Sequence, residues 1–253
     1  MISYLNQKYI FSMVSKNQIK LITSLQQKKY RTTHGLFLAE GKKVIDELLR
    51  SNYELFHLYE TEYLFESVPA NQKDLISVAD LSKISALTTA NNCLAIFRIP
   101  DQIQIVDKGL IIALDDIRDP GNLGTIIRLC DWFGIEQLVC STSTVDLYNP
   151  KVIQATMGSI SRVKVHYLNL LDFINSTTLP VYGTFMNGRN VYKELLPKEA
   201  VVVLGNEANG ISEALEEIIK NRLTIPRFGK LQQTESLNVA SASAILMSEF
   251  CRI

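Results

Sequence analysis

Net charge is the first thing this sequence lacks. Lys+Arg and Asp+Glu stand at 26 each in 253 residues, so no global basic field announces a polyanionic partner. Histidine is scarce, and His34, His57 and His166 are scattered. The four cysteines (Cys93, Cys130, Cys140, Cys251) contain no C-x-x-C pair. Together these absences exclude a zinc knuckle and a disulfide framework, and they fit a reducing compartment. No apolar run approaches the roughly 18 residues of a membrane span. The start, MISYLNQKYIFSMVSKNQ, has no apolar stretch behind a basic head, so a soluble, cytoplasmic protein is expected.

Several common catalytic signatures are missing too. The first glycine-bearing loop after a strand offers only Gly121 and Gly124, not G-x-G-x-x-G. No G-x-x-x-x-G-K-[ST] and no G-x-S-x-G occurs. Dinucleotide oxidoreductases, P-loop NTPases and elbow-type hydrolases are thereby disfavoured.

What is present is a core-forming chain, 47% hydrophobic and 21% charged, long enough for one large domain or two modest ones. Charge is unevenly placed. Residues 1–35 carry Lys8, Lys16, Lys20, Lys28, Lys29 and Arg31 and no acid. Such a run is either a footprint for phosphate or a solvated basic face.

The pattern predicts a helix over 18–28, a strand at LFLAEG (36–41) and a helix over 42–50 with Val44, Ile45, Leu48 and Leu49 on one side. Strands follow at ELFHLYE (54–60), LISVAD (75–80) and NCLAIFRI (92–99), with a short helix near 81–87. IPDQIQIVDKG (99–109) reads as a linker. Beyond it, strands at 109–116, 136–141, 163–168, 180–186, 200–206 and 222–226 alternate with helices near 123–133, 150–158, 169–176, 212–220 and 237–251. Alternation of this kind means a parallel sheet covered on both faces. Runs such as IIAL and VVVL suit doubly covered strands. The expected class is α/β, with domains at 1–104 and 105–253.

Ligands of open α/β sheets bind beyond the carboxyl ends of the strands, and three such ends are unusual here. In DDIRDPGNLGTIIRLCDWFG (115–134), Asn122 is placed as the cap of the following helix. Arg128 lies on that helix's open side, as a surface charge, a partner for an acid or a functional group. In VVVLGNEANGIS (201–212), Gly205 permits close backbone approach, Ser212 caps a helix, and Glu207 is either functional or a surface acid. In LTIPRFGKLQQTESLNVASASAILMSEF (223–250), a polar loop leads through Ser236-Leu237-Asn238 into a helix rich in small residues.

These three motifs, in this order, resemble those of the SpoU-type (TrmH-like) RNA ribose 2′-O-methyltransferases of the SPOUT superfamily. LFLAEGKKVIDELL is similar, less specifically, to the substrate-binding domain that often precedes the catalytic one. The resemblance implies a C-terminal trefoil knot, S-adenosyl-L-methionine as cofactor, a homodimer whose interface completes the site, and methyl transfer to a ribose 2′-oxygen of structured RNA. It implies catalytic roles for Arg128, Asn122, Glu207, Ser236 and Asn238. Arg128 would bind the phosphate next to the ribose and favour alkoxide character, or act as a base. The cofactor would meet Gly205, Ile225 and Leu237, with Thr184 on the preceding loop. No metal is implied. The separate N-terminal unit points to ribosomal RNA ahead of transfer RNA. One departure is a Pro226–Ser236 loop, with Lys230, Gln232 and Gln233, longer than is usual for the family. A non-catalytic RNA-binding or assembly protein is the alternative, and a nucleotide-binding metabolic enzyme a third reading.

Overall fold

The computed structural model describes residues 11–101, 104–229, 231 and 236–252. Lys8, Lys230, Gln232, Gln233 and Glu235 lie outside them. Contacts divide the chain into two units, Met1–Pro100 and Asp101–Ile253.

The first unit runs α1 (Lys16–Ser24), α2 (Lys28–His34), β1 (Leu36–Glu40), α3 (Lys42–Leu49), β2 (Leu55–Glu60), β3 (Lys73–Leu75), α4 (Val78–Ile84) and β4 (Cys93–Arg98). Its sheet has the order β1-β4-β2-β3; β4 is antiparallel to both neighbours, and β2 and β3 are parallel. Ile22 and Leu25 of the first helical segment pack with Leu36, Leu38, Ile76, Leu81, Ile84, Leu94 and Ile96.

Three expectations change in this unit. The helix read over 18–28 ends at Ser24, and a second helix, α2, begins at Lys28. Residues 78–80 belong to α4, because the Ser77 hydroxyl accepts from the Asp80 N–H and starts that helix. Arg31, counted above in a basic surface, is buried at 3% exposure. Its Nη1 donates to the carbonyls of Leu25 and Gln26, each at 2.9 Å, and so satisfies chain ends left open after α1.

The second unit runs β5 (Leu110–Leu114), α5 (Pro120–Trp132), β6 (Gln137–Ser141), α6 (Pro150–Thr156), β7 (Lys164–Leu168), α7 (Leu170–Ser176), β8 (Val181–Asn190), β9 (Ala200–Leu204), α8 (Glu213–Ile218), β10 (Asn221–Thr224) and α9 (Val239–Cys251). Its six strands, in the order β10-β8-β9-β5-β6-β7, pair in parallel throughout. Ile111, Ala113, Val201 and Val203 pack with Leu170, Phe173, Ile174, Leu215 and Ile219 on one face. Ile112, Leu114, Val202 and Leu204, which alternate with them, are equally buried, so the sheet is covered twice as its apolar runs required.

β8 extends four residues beyond the expected 186. β10 pairs with Tyr182 and Gly183, then with Arg189 and Asn190, so residues 184–188 form an excursion beside it. Gly188 lies so close to the Leu223 backbone that a Cβ there would stand 2.3 Å from its carbonyl carbon.

Burial pushes the Cys93 thiol up to about 12 and raises Cys130 and Cys140 further still. These three buried thiols are packing residues.

Gly124 lets α5 lie against α6. A Cβ at this position would meet the Ala155 Cβ at 2.4 Å and the Val152 carbonyl at 3.0 Å. Gly124→Ala gains helix propensity of about 1 kcal/mol but overpacks the contact by a larger amount, typically about 1–3 kcal/mol or more. A net loss of stability, seen as a Tm lowered by roughly 2–8 °C in thermal unfolding, is the expected outcome.

Candidate functional site

The strand order reverses direction beside β5. The chain moves outward through β6 and β7, then returns to lay β9 against the other side of β5. The loops leaving β5 and β9 therefore emerge side by side at a switch point, where open α/β sheets bind ligands.

The β5 loop ends in Asp119, whose side chain accepts from the Asn122 N–H at 2.8 Å. Asp119 is thus the cap of α5, with Pro120 in its first turn. This corrects the expectation for Asn122. It is not the cap but a first-turn residue, and the cap's use of its backbone N–H leaves its side-chain amide available.

That amide bridges two other motifs. Asn122 Nδ2 donates to Glu207 Oε1 at 2.5 Å, and Asn122 Oδ1 accepts from Asn238 Nδ2 at 3.0 Å. Asn238 is also the cap of α9, its Oδ1 accepting from the Ala240 and Ser241 N–H groups. The oxygen–nitrogen assignment of both amides follows from this network. Residues separated by 85 and 116 positions are so joined in one chain, Glu207–Asn122–Asn238.

Sequence reasoning missed the residue that holds Glu207 in place. Asn206 Nδ2 donates to the Asp116 carbonyl at 2.7 Å and stands 3.4 Å from the Asp116 carboxylate. Its Oδ1 accepts from the N–H groups of Ala208 and Asn209, and its backbone exchanges two hydrogen bonds of 2.9 Å with Gly210. Asp116 itself has φ +56°, a left-handed conformation that Asp and Asn tolerate better than most residues. Its N–H donates to Ser141 Oγ. Beside it, buried Asp115 accepts from the Ser212 N–H at 2.8 Å. Ser212 does hold the cap position of α8, but without a side-chain capping bond. The Asx-turn form of N-E-A-N after a strand was the signal available.

Gly205 is explained by packing. A Cβ there would lie 2.1 Å from the Gly210 carbonyl carbon, so the loop must fold back on a bare backbone. Thr184 lies within β8, just past its pairing with β9, and not on a loop as expected; Gly205 and Ile225 directly follow β9 and β10, and the three strands are neighbours. Leu237, about half exposed, precedes the cap of α9. Partly exposed apolar side chains next to strand-end backbone suit an adenine ring and a methionine chain, so the residues fit the expected cofactor class.

Two residues stand apart from the amide chain. Ser236 is exposed on the segment before α9. Arg128 is exposed and has no ion pair among the described residues. It lies six residues beyond Asn122 on the same helix, about 9 Å along the axis and roughly 120° around it. Both are helical, so Asn122 and Arg128 lie on different faces of α5. Arg128 shares its stripe with Gly121, Thr125 and Trp132, and Trp132 is 84% exposed.

A two-unit α/β protein with a polar constellation at a parallel-sheet switch point is the class that fold and site define. Residues 109–248 match the SpoU rRNA Methylase family, and residues 16–95 match the MRM3-like substrate binding domain. The chain belongs to the SpoU rRNA methylase family. It is 32% identical over 92% of its length, and 96% of the relative, to the 23S rRNA (guanosine(2553)-2′-O)-methyltransferase RlmP of Bacillus subtilis. A TrmH-family structure from Porphyromonas gingivalis superposes with a TM-score of 0.87 at 39% identity, covering 94% of this chain and 98% of that one. The AdoMet-bound rRNA methyltransferase of Sinorhizobium meliloti gives 0.82 at 27% identity, over 96% and 97%.

Asn206→Asp tests the loop anchor. It replaces a donor with a carboxylate facing a carbonyl and a second carboxylate, which costs the loop a part-buried hydrogen bond and adds repulsion. Methyl transfer should fall about 10- to 100-fold, the range such a loss spans. Adding Asp116→Asn removes one carboxylate and supplies an amide, so the double variant should recover part of the rate. Single-turnover assays of the three proteins decide it.

Proposed function

We propose that this protein transfers a methyl group from S-adenosyl-L-methionine to a ribose 2′-oxygen of ribosomal RNA. The observation that carries the reading is the Glu207–Asn122–Asn238 hydrogen-bond chain, which unites all three ordered motifs at the switch point. The family match, the rRNA named for the Bacillus subtilis relative and the AdoMet-bound Sinorhizobium meliloti structure support the same reaction, substrate class and cofactor. Bound S-adenosyl-L-methionine supplies an electrophilic methyl on a sulfonium.

The chain's own residues do the rest. Thr184, Gly205, Ile225 and Leu237 line the cofactor side. Asn122, held by Glu207 and Asn238, orients the RNA backbone, and Ser236, exposed on the segment before α9, holds substrate by a hydrogen bond. Arg128 binds the phosphate next to the target ribose. A guanidinium keeps its proton, with a pKa above roughly 12, so it favours alkoxide character at the 2′-oxygen electrostatically rather than as a base, and the hydroxyl proton is released to solvent as the 2′-oxygen takes the methyl. Positioning supplies much of the remaining rate.

The same reading takes the division at 1–104 and 105–253 as recognition and catalysis, and places the protein in the cytoplasm. The scattered cysteines, with no C-x-x-C pair, fit that location. It includes the trefoil knot that the resemblance implies. It also includes the homodimer. Arg128 faces away from the amide chain of its own subunit and beside exposed Trp132, an arrangement that suits a site completed across two copies.

Labelled S-adenosyl-L-methionine with unmodified ribosomal RNA, and separately transfer RNA, tests the function. Label should appear on a ribose 2′-oxygen of ribosomal RNA. Arg128→Ala should abolish transfer while cofactor affinity stays within about twofold. Near-normal turnover of that variant would remove Arg128 from the mechanism, and cofactor binding without label on any RNA would favour a non-catalytic RNA-binding protein.

The dimer has its own check. Trp132→Glu puts a charge on the exposed stripe, and burying an unpaired charge costs several kcal/mol. Light scattering should show the wild-type chain at twice the monomer mass and the variant at monomer mass, with activity lost alongside.

A further inference from the structure

Charge in the first unit is segregated. Among the described residues before Glu40 there is no acid, and Glu40 itself is buried at 5% exposure. Burial raises its carboxyl pKa, against hydrogen bonds from Ser85 and the Ala86 N–H. Its burial keeps the carboxyl off the surface. From residue 40 onward, acids and bases interleave. Lys73 pairs with Glu60, Lys83 with Asp80 and Arg98 with Glu54. Lys42 and Lys43 share α3 with Asp46 and Glu47, and Arg50 follows at its end.

The helices α1 and α2 differ. Lys16, Lys20, Lys28 and Lys29 are all exposed, and none has an ion pair among the described residues. On α1, Lys16 and Lys20 are one turn apart, and Ile22 lies on the opposite, core-facing side. On α2, Arg31 is the buried residue, while Lys28, Lys29, Tyr30, Thr32 and Thr33 are exposed and His34 follows at the end of the helix. The Tyr30 and His34 rings lie nearly parallel, 18° apart with centroids at 6.5 Å, and Lys29 Nζ stands 5.8 Å from the Tyr30 ring centre. A partly exposed aromatic plane flanked by unpaired cations presents both elements that unpaired RNA needs, a stacking platform and phosphate partners.

We propose that the α1–α2 face, centred on Lys28, Lys29, Tyr30 and His34, is where the first unit grips RNA, with the lysines on phosphates and the Tyr30 ring under an unstacked base. This deepens the functional reading above and rests on it. An interleaved surface would gain little from a polyanion, because its acids repel what its bases attract. Neither α1 nor α2 carries an acid to set against its lysines.

Deproteinised, unmodified large-subunit ribosomal RNA serves as probe, with the full-length protein and a salt series. Lys28→Glu/Lys29→Glu should weaken binding at least tenfold at about 0.1 M salt. The slope of log affinity against log salt should become shallower by roughly 0.7–0.9 for each phosphate no longer neutralised. Tyr30→Ala should weaken binding about tenfold, within the range of one base stack, while Tyr30→Phe should bind like wild type. Cofactor affinity and Tm should not move, and if the charge reversal lowers Tm, Lys28→Gln/Lys29→Gln replaces it. Lys42→Glu/Lys43→Glu on α3 is the control for net charge. Unchanged affinity and slope in the α2 variants, or an equal loss in the α3 control, would overturn the proposal while the methyltransferase reading stands. Failure of the wild-type protein to bind ribosomal RNA at all would instead bring down the functional reading and this one with it.

Discussion

One carboxamide connects the working parts of the second unit. Asn122 donates to Glu207 and accepts from Asn238. Because a carboxamide has one end of each kind, it can join a carboxylate to another amide only in this orientation. The β9 loop and the start of α9 are thereby held against the start of α5. Each partner is positioned by a separate device. Asp119 caps α5, the Asn206 hub pins the β9 loop to Asp116, and Asn238 caps the helix it begins. Such a network is worth most when every member is satisfied.

The backbone is arranged to permit it. Gly205 and Gly188 mark places where chain lies on chain with no room for a side chain, and Gly124 brings α6 against α5. Asp116 accepts a left-handed conformation that turns its carbonyl toward Asn206. These are concentrated around the strand ends rather than spread through the sheet, whose buried Val and Ile residues need no such exceptions. Strain and close approach near a site, and regular packing elsewhere, is the expected division in a scaffold that carries function on its loops.

Helix α5 serves two directions. Its inner face, with Leu123, Ile126, Ile127 and Cys130, is buried, while Arg128 and Trp132 lie on the opposite stripe. The first unit shows the same economy in a different form. Arg31 turns inward to bind main-chain carbonyls, and its neighbours Lys28 and Lys29 remain outside. Equal formal charges in one short helix thus do different work, and only their burial separates them.

The sequence made legible the α/β alternation, the doubly covered parallel strands and the three loops that the Asn122 amide joins. All of these rest on periodicity and local turn chemistry, which neighbouring residues decide between themselves. It could not tell that Asn122 is inside the helix rather than its cap, since Asp119 and Asn122 are both good caps and only the path of the preceding loop chooses. Nor could it show that Arg31 is internal, that β8 runs on to Asn190, or that Asn206 anchors the loop of Glu207. Those outcomes depend on contacts between residues as many as 116 positions apart. Tertiary structure decided them because a hydrogen bond needs its partner within about 3 Å, and only the folded sheet brings these strand ends together.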